Sequence, residues 1–201
     1  MKRSGPDRRS QILTKATRLF SRHGYEKVTV KQIATACSIT EPALYRYFPS
    51  KKALWEAVLD SLGRRLNAEA LFARLSDEKD VHKILMGLAA HILEFFSDHD
   101  DLCRLLLYGG LEGKTRGQKV FKIVRGSFVD FLTEQLDRLK RQRLVRNISS
   151  EITARCFVGM VFECALGCTL WKDVSGTVYE PPDILANNVP IFAKGLKRGK
   201  Q

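Results

Sequence analysis

The chain has 201 residues, room for one large domain or two small ones, and 44% of them are hydrophobic, which excludes a disordered chain. Its formal net charge of +12 points to nucleic acid or an anionic surface as partner, and the excess is uneven: 12 Lys and Arg against 5 Asp and Glu in residues 1–60 (net +7), 22 against 17 in the rest (net +5). Five cysteines, with no CxxC pair and no apolar leader, argue against a disulfide framework and a zinc finger, and a cytoplasmic protein is expected.

Hydrophobic spacing predicts helices almost throughout. The first covers about Arg8 to His23, with Ile12, Leu13, Ala16, Leu19 and Phe20 on one stripe and Gly24 as its stop. Thr29 caps a short second helix from Val30 to about Cys37, with Val30, Ile33 and Ala34 inward. Ser38 and Ile39 form a tight turn. Thr40 caps a third helix that ends near Tyr47, before Pro49. Glu41 and Pro42 suit its first turn, because an acid complements the positive helix end and proline lacks an N–H that would be orphaned there. Ser50 caps a fourth helix, Lys51 to about Ala68, with Leu54, Val58, Leu62 and Leu66 inward.

Five longer segments follow: about Val81 to Asp98, Leu102 to Leu111, Gln118 to Gln142, Ser150 to Trp171 and Pro182 to Lys197. "ARLSDEKD", "DHDD", "LEGKTRG" and "KDVSGTVYEPP" are expected to be loops. Pro190 should kink or interrupt the last helix. No apolar run is expected to span a bilayer, because the longest candidate, Cys156 to Trp171, carries Glu163 and two glycines. The reading is an all-α chain of about nine helices. A three-helix DNA-binding domain covers 1–50, and a helical effector-binding and dimerisation domain covers 51–201.

Two short helices joined by a tight turn, the second one capped, describe a helix-turn-helix. In that unit the start of the second helix meets base edges. Thr40, Glu41, Pro42, Ala43 and Arg46 are the base-facing candidates, while Tyr45, Tyr47, Lys51 and Thr29 are candidates for the phosphate backbone. Leu44 and Phe48, spaced i, i+4, face the module's own core. The arm Lys2, Arg3, Arg8 and Arg9 can follow the backbone. Each feature alone has a plainer reading, as a core-edge aromatic, a cap or a solvated tail. Their convergence in one basic module favours double-stranded DNA.

The stretch "ILTKATRLFSRHGYEKVTV" followed by "KQIATACSITEPALYRYFPSKKALWEAVL" resembles the DNA-binding domain of the tetracycline-repressor (TetR) family over about residues 8–60. Thr29-Val30, Ile33-Ala34, Leu44-Tyr45, Phe48, Lys51 and Leu54 carry the likeness, with Ala16, Leu19, Phe20, Gly24 and Tyr25 upstream. A weaker likeness covers "DLCRLLLYGGLE" and "ITARCFVGMVFECAL". Ser38 departs from the family, which usually has Gly at the turn. The resemblance implies a homodimeric regulator, usually a repressor, that binds a pseudo-palindromic operator and is released by a small ligand.

Beyond the module, the segment from Ser150 is apolar nearly all round, as expected of a helix buried on two sides. The resemblance assigns it and the last helix to a four-helix dimer interface, with Met160, Val161, Cys164, Cys168, Trp171, Val189 and Phe192 as candidates. His91, Phe95, Tyr108, Phe121, Phe128 and Phe157 are candidates for a pocket, and their aromatic character implies a small apolar effector. Cys164 and Cys168, spaced i, i+4, suit a small apolar surface better than a thiol sensor. The run Arg138, Lys140, Arg141, Arg143, Arg146 is expected to be a solvated helix end. Nothing calls for a cofactor, a metal or a membrane. GxSxG, GxGxxG and the phosphate loop are absent. The remaining enzyme reading, a metal bundle on His91, Glu94 and His99, lacks a second Glu-x-x-His pair. An activator or a ligand-independent regulator of the same fold is the nearer alternative.

Overall fold

Caps and apolar stripes build nine α-helices among the residues described by the computed structural model: 7–66, 68–97, 99, 103–105, 107, 118, 119, 121–172 and 179–198. These are α1 Arg8–Lys27, α2 Val30–Ala36, α3 Glu41–Tyr45, α4 Lys51–Leu66, α5 Ala68–Leu75, α6 Val81–Ser97, α7 Ser127–Arg141, α8 Ser150–Thr169 and α9 Pro181–Leu196. A π-helical turn, Lys122–Gly126, leads into α7. No strand occurs among the described residues beyond an isolated antiparallel bridge, Val145 to Lys197. Packing divides the chain into two units. One takes the described residues within Met1–Arg65 and Asp101–Ile123; the other takes those within Leu66–Asp100 and Val124–Gln201. Most of α4 thus groups with the N-terminal helices rather than with the later ones, unlike a division at 50/51.

In the first unit, Asp7 caps α1 by accepting from the Arg9 N–H at 3.3 Å. Gly24 takes φ 77°, a left-handed value that suits glycine, and the helical run resumes for Tyr25–Lys27. The expected stop is therefore a kink. Ile12, Ala16, Phe20, Ile33, Leu44, Phe48, Leu54 and Val58 are buried together in a small core. Phe20 meets Trp55 edge-on with centroids 5.1 Å apart, and Tyr25 closes the triangle at 5.8 Å from Phe20 and 5.4 Å from Trp55.

The turn after α2 is a Schellman motif. Ile39 N–H reaches the Ala34 carbonyl and Ser38 N–H the Thr35 carbonyl, both at 3.0 Å. Its C′ position requires a left-handed residue, and Ser38 stands there at φ 54°. The left-handed region costs a non-glycine residue about 1–2 kcal/mol, which the extra chain entropy of glycine partly offsets. Ser38→Gly is accordingly expected to raise stability by about 0.5–1 kcal/mol, visible as a higher urea midpoint with an unchanged slope. A lowered midpoint would show that the Ser38 side chain itself supports the turn.

In the second unit, α6 carries a wide buried stripe (Ile84, Leu85, Leu88, Ile92, Leu93 and Phe96 among others) and packs against α8 and α9, while α7 packs on α8. Helix α5 departs from expectation: Ala73, Arg74 and Leu75 of the supposed loop continue a helix from Ala68 that buries Leu71 and Leu75. Two inward leucines in eight residues are too weak a period to see in isolation. Helix α9 is continuous through Pro190, which lies exposed, so the expected interruption does not occur. By length and composition α8 does qualify as a membrane-crossing helix, contrary to expectation. Its Ala154, Phe157, Val158, Val161, Phe162 and Ala165 are buried in the helical unit.

The basic run near residue 140 is solvated in part: Arg141, Arg143 and Arg146 are exposed, whereas Arg138 and Lys140 are half-buried, and three of the five make ties. Arg138 donates to the Glu78 carbonyl and to Gln135 Oε1. Lys140 pairs with Asp137 at 2.9 Å, and Arg146 donates to the Gly195 carbonyl at 3.2 Å. The Ser150 hydroxyl donates to Asp137 at 2.6 Å, so the start of α8 is held to the end of α7.

Candidate nucleic-acid interface and effector region

Leu44 and Phe48 are buried at 0% and 1% exposure, which fixes the opposite side of α3 outward. Thr40, Pro42 and Arg46 are exposed, Glu41 and Ala43 are half-buried, and Tyr45 and Tyr47 keep 45% and 41% of their surface open. Thr40 caps the helix by accepting from the Ala43 N–H at 3.3 Å. Both phenols stay at the surface while Phe20, Phe48 and Trp55 are buried, and a phenol hydroxyl can donate to a phosphate.

Thr29 forms a full capping box. Its hydroxyl oxygen accepts from the Gln32 N–H at 3.2 Å, and its own N–H donates to Gln32 Oε1 at 2.7 Å. The hydroxyl also lies 3.2 Å from Gln32 Oε1. A phosphate contact by this hydroxyl has to replace that bond, a constraint hidden from the residue type alone.

Lys51 is half-buried. Its ammonium sits 4.3 Å from the Tyr25 ring centroid and donates to the Glu26 carbonyl at 3.3 Å. It joins the end of α1 to the start of α4, so it is a strut as well as a candidate phosphate donor. Arg9 stacks similarly on Phe48 at 4.7 Å, anchoring the start of the basic arm. Lys2 and Arg3 lie outside the described residues.

In the second unit the expected pocket aromatics separate. Phe128 is fully buried, with Phe72 at 5.4 Å, His91 at 6.1 Å and Phe162 at 6.5 Å between centroids. Phe157 is equally buried against Phe192 at 5.2 Å. His91 Nε2 is 2.6 Å from the Leu66 carbonyl. Phe95, half-buried, stacks on His99 at 4.7 Å, and His99 Nδ1 is 2.6 Å from the Phe95 carbonyl. Phe121, in the other unit, is 41% exposed. Tyr108 lies outside the described residues. Both imidazoles bond to backbone carbonyls and Glu94 is exposed; no group of three or more metal-binding side chains is placed together among the described residues. Arg125, Phe72 and Phe162 share this region, although sequence reasoning does not select them. An arginine isolated between apolar residues in "FKIVRGSFVDF" is the one available signal.

The expected interface residues divide by face. Val161 and Val189 are buried at 0% and 1% within their own chain, so they have no surface left for a second copy. Met160, Cys164, Cys168 and Phe192 are half-buried and Trp171 is exposed. Asn188 sits over the α8 side, 3.5 Å from Met160 Sδ and 3.7 Å from Cys164 Sγ, and with Phe157 against Phe192 the two contacts run in opposite chain order, so α8 and α9 are antiparallel. The outward side of this pair also shows Ile152, Cys156 and Ile191, which are absent from the sequence-based candidates. Burial pushes the Cys164 and Cys168 thiols up from their ordinary value, lowering the thiolate fraction a redox sensor needs.

Residues 12–58 match the family of bacterial regulatory proteins described as the tetR family. The chain is 30% identical over 166 residues to the nucleoid occlusion factor SlmA of Aliivibrio fischeri (strain MJ11), covering 78% of this chain and 81% of that protein. It is 34% identical over 107 residues to the SlmA of Pasteurella multocida (strain Pm70), an alignment that spans 53%, about half, of each chain. Among solved structures, AibR in complex with isovaleryl coenzyme A and operator DNA superposes with a TM-score of 0.71 at 24% identity, covering 92% of this chain and 97% of that one. FadR from Bacillus subtilis in complex with stearoyl-CoA superposes at 0.74 with 15% identity, covering 93% and 98%. These two likenesses show the fold.

Proposed function

Because the chain belongs to the TetR family of bacterial regulatory proteins, we propose that it is a sequence-specific DNA-binding regulator that works as a homodimer and leaves its operator when a small, largely apolar effector binds the second unit. It has the fold of DNA-binding regulators, with the helix-turn-helix in the first unit and a helical body after it. No catalytic step is assigned to it. The observation that carries the reading is the division of α3: Leu44 and Phe48 inward, Thr40, Pro42, Tyr45, Arg46 and Tyr47 outward, in the most basic part of the chain. Thr40, Glu41, Pro42, Ala43 and Arg46 are proposed to meet bases. Tyr45, Tyr47, Lys51 and Thr29 are proposed to hold phosphates.

Selection of bound duplexes from a random pool, followed by titration at several salt concentrations, tests this. Enrichment of a two-fold symmetric sequence, with log K falling linearly in log salt, is the expected outcome. Lys51→Ala is expected to weaken binding to all duplexes about equally and to reduce the salt slope by about one phosphate. A slope unchanged by the substitution would leave Lys51 only its strut role.

A second reading has a specific support. The SlmA relatives are nucleoid occlusion factors, and their identity to this chain exceeds that of the effector-bound structures. That favours a DNA-binding protein of this fold that no metabolite releases. Retention of the selected duplex across a broad metabolite library would support it.

A further inference from the structure

Arg125 is a charge in an apolar place. It lies at the end of the π-helical turn before α7, half-buried, with its guanidinium 4.8 Å from the centroid of the buried Phe162 ring. Phe162 in turn touches Phe96 at 5.3 Å and faces Phe128 at 6.5 Å, so the cation caps a continuous aromatic cluster. A guanidinium has five N–H donors. The bond it makes here is a long one, 3.4 Å from Nη2 to the Gly159 carbonyl. No carboxylate among the described residues lies within ion-pair distance. Glu163, the neighbouring acid on α8, is exposed and acts on Arg125 only at longer range. The other guanidinium nitrogens still have accessible surface, because Trp55 Nε1 is the one buried side-chain nitrogen or oxygen without a partner among the described residues.

Desolvation disfavours this charge, and burial lowers the Arg125 pKa from its ordinary value. Arginine nonetheless stays protonated in proteins. Stacking on Phe162 holds the planar fork in place. A preoriented cation with unused donors beside an aromatic cluster matches a ligand with an anionic head and an apolar body. Resting on the ligand-released reading above, we infer that the effector is an anionic amphiphile whose carboxylate or phosphate is received by Arg125 while its apolar part lies against the aromatic cluster around Phe162.

Calorimetric titration of the full chain with sodium decanoate, decyl phosphate and decan-1-ol separates head from body. One of the two anions is expected to bind at least about tenfold tighter than the alcohol, the scale of a charge-assisted contact; which anion wins distinguishes the two head groups. Arg125→Gln should remove about that tenfold while leaving the alcohol within about twofold, and Arg125→Lys should recover part of it. Circular dichroism checks that both variants fold. Equal binding of all three compounds, or an anion affinity unchanged in Arg125→Gln, would overturn the assignment. If decan-1-ol alone binds and releases the selected duplex, ligand release stands and the anion site falls. Should none of the three bind while the duplex is held, the anion site falls, and the ligand-independent reading is favoured.

Discussion

Ile191→Glu is expected to leave the protomer folded and convert the dimer to a monomer at micromolar concentration. Ile191 is 63% exposed on α9, beside the half-buried Phe192, and its side chain adds little to its own core. In a two-fold interface every residue acts twice. Losing the burial of two isoleucines, each worth about 1.5–3 kcal/mol, weakens association by about 3–6 kcal/mol before the desolvation of two carboxylates is added. Each 1.4 kcal/mol is about a factor of ten, so the dissociation constant should rise by about two to four orders of magnitude. Sedimentation velocity reads the species directly, and thermal unfolding checks the fold. Operator binding should fall with the dimer, because two recognition helices no longer reach successive grooves together. A variant that still sediments as the wild-type dimer would place the interface away from the outward side of α8 and α9.

Phe20→Ala acts on the other unit. Its ring is fully buried and meets both Trp55 and Tyr25. Truncating a buried Phe to Ala typically costs about 3–5 kcal/mol, part from lost transfer energy and part from the cavity. Small domains have about 5–15 kcal/mol in total, so a core of this size has little reserve. The unit that presents α3 is expected to loosen or unfold first, and Trp55, read in a Trp171→Phe background, provides the probe: its fluorescence should shift at a lower urea concentration than helicity measured over the whole chain. DNA binding should be lost with it, although none of the three rings is proposed to touch DNA. Coincident transitions in wild type and variant, with unchanged affinity, would show that the aromatic triangle is dispensable.

Local chemistry makes the first unit legible from its residues. Thr29, Thr40 and Ser50 cap the helices they precede, and each cap depends on atoms within three residues. Gly24 and Ser38 mark the positions where the backbone turns left-handed, and both are visible as residues that relieve or oppose that turn. The separation of Leu44 and Phe48 from Tyr45 and Arg46 follows from 3.6-residue periodicity alone. In the second unit the same period marks α6, α7, α8 and α9 but not α5, whose two inward leucines are too few to show it.

Partner choice emerges only in three dimensions. An all-round apolar helix such as α8 does not reveal which apolar residues face its own chain. Packing against α6 and α7 buries Val161 and leaves Ile152 and Cys156 out. Lys51 reads as a pure phosphate donor until Tyr25 and Glu26 come within reach across 25 residues of chain. Likewise, Arg138 and Arg146 find backbone carbonyls 60 and 49 residues away. The physical reason is common to all of these. Capping, turns and periodicity are short-range and written in consecutive residues, whereas burial and the partners of long charged side chains depend on what the fold brings alongside. Arg125 over Phe162 belongs to that second class. Consecutive residues suffice to specify the helices and the helix-turn-helix; only the packed chain shows which cation stands against aromatics with donors to spare.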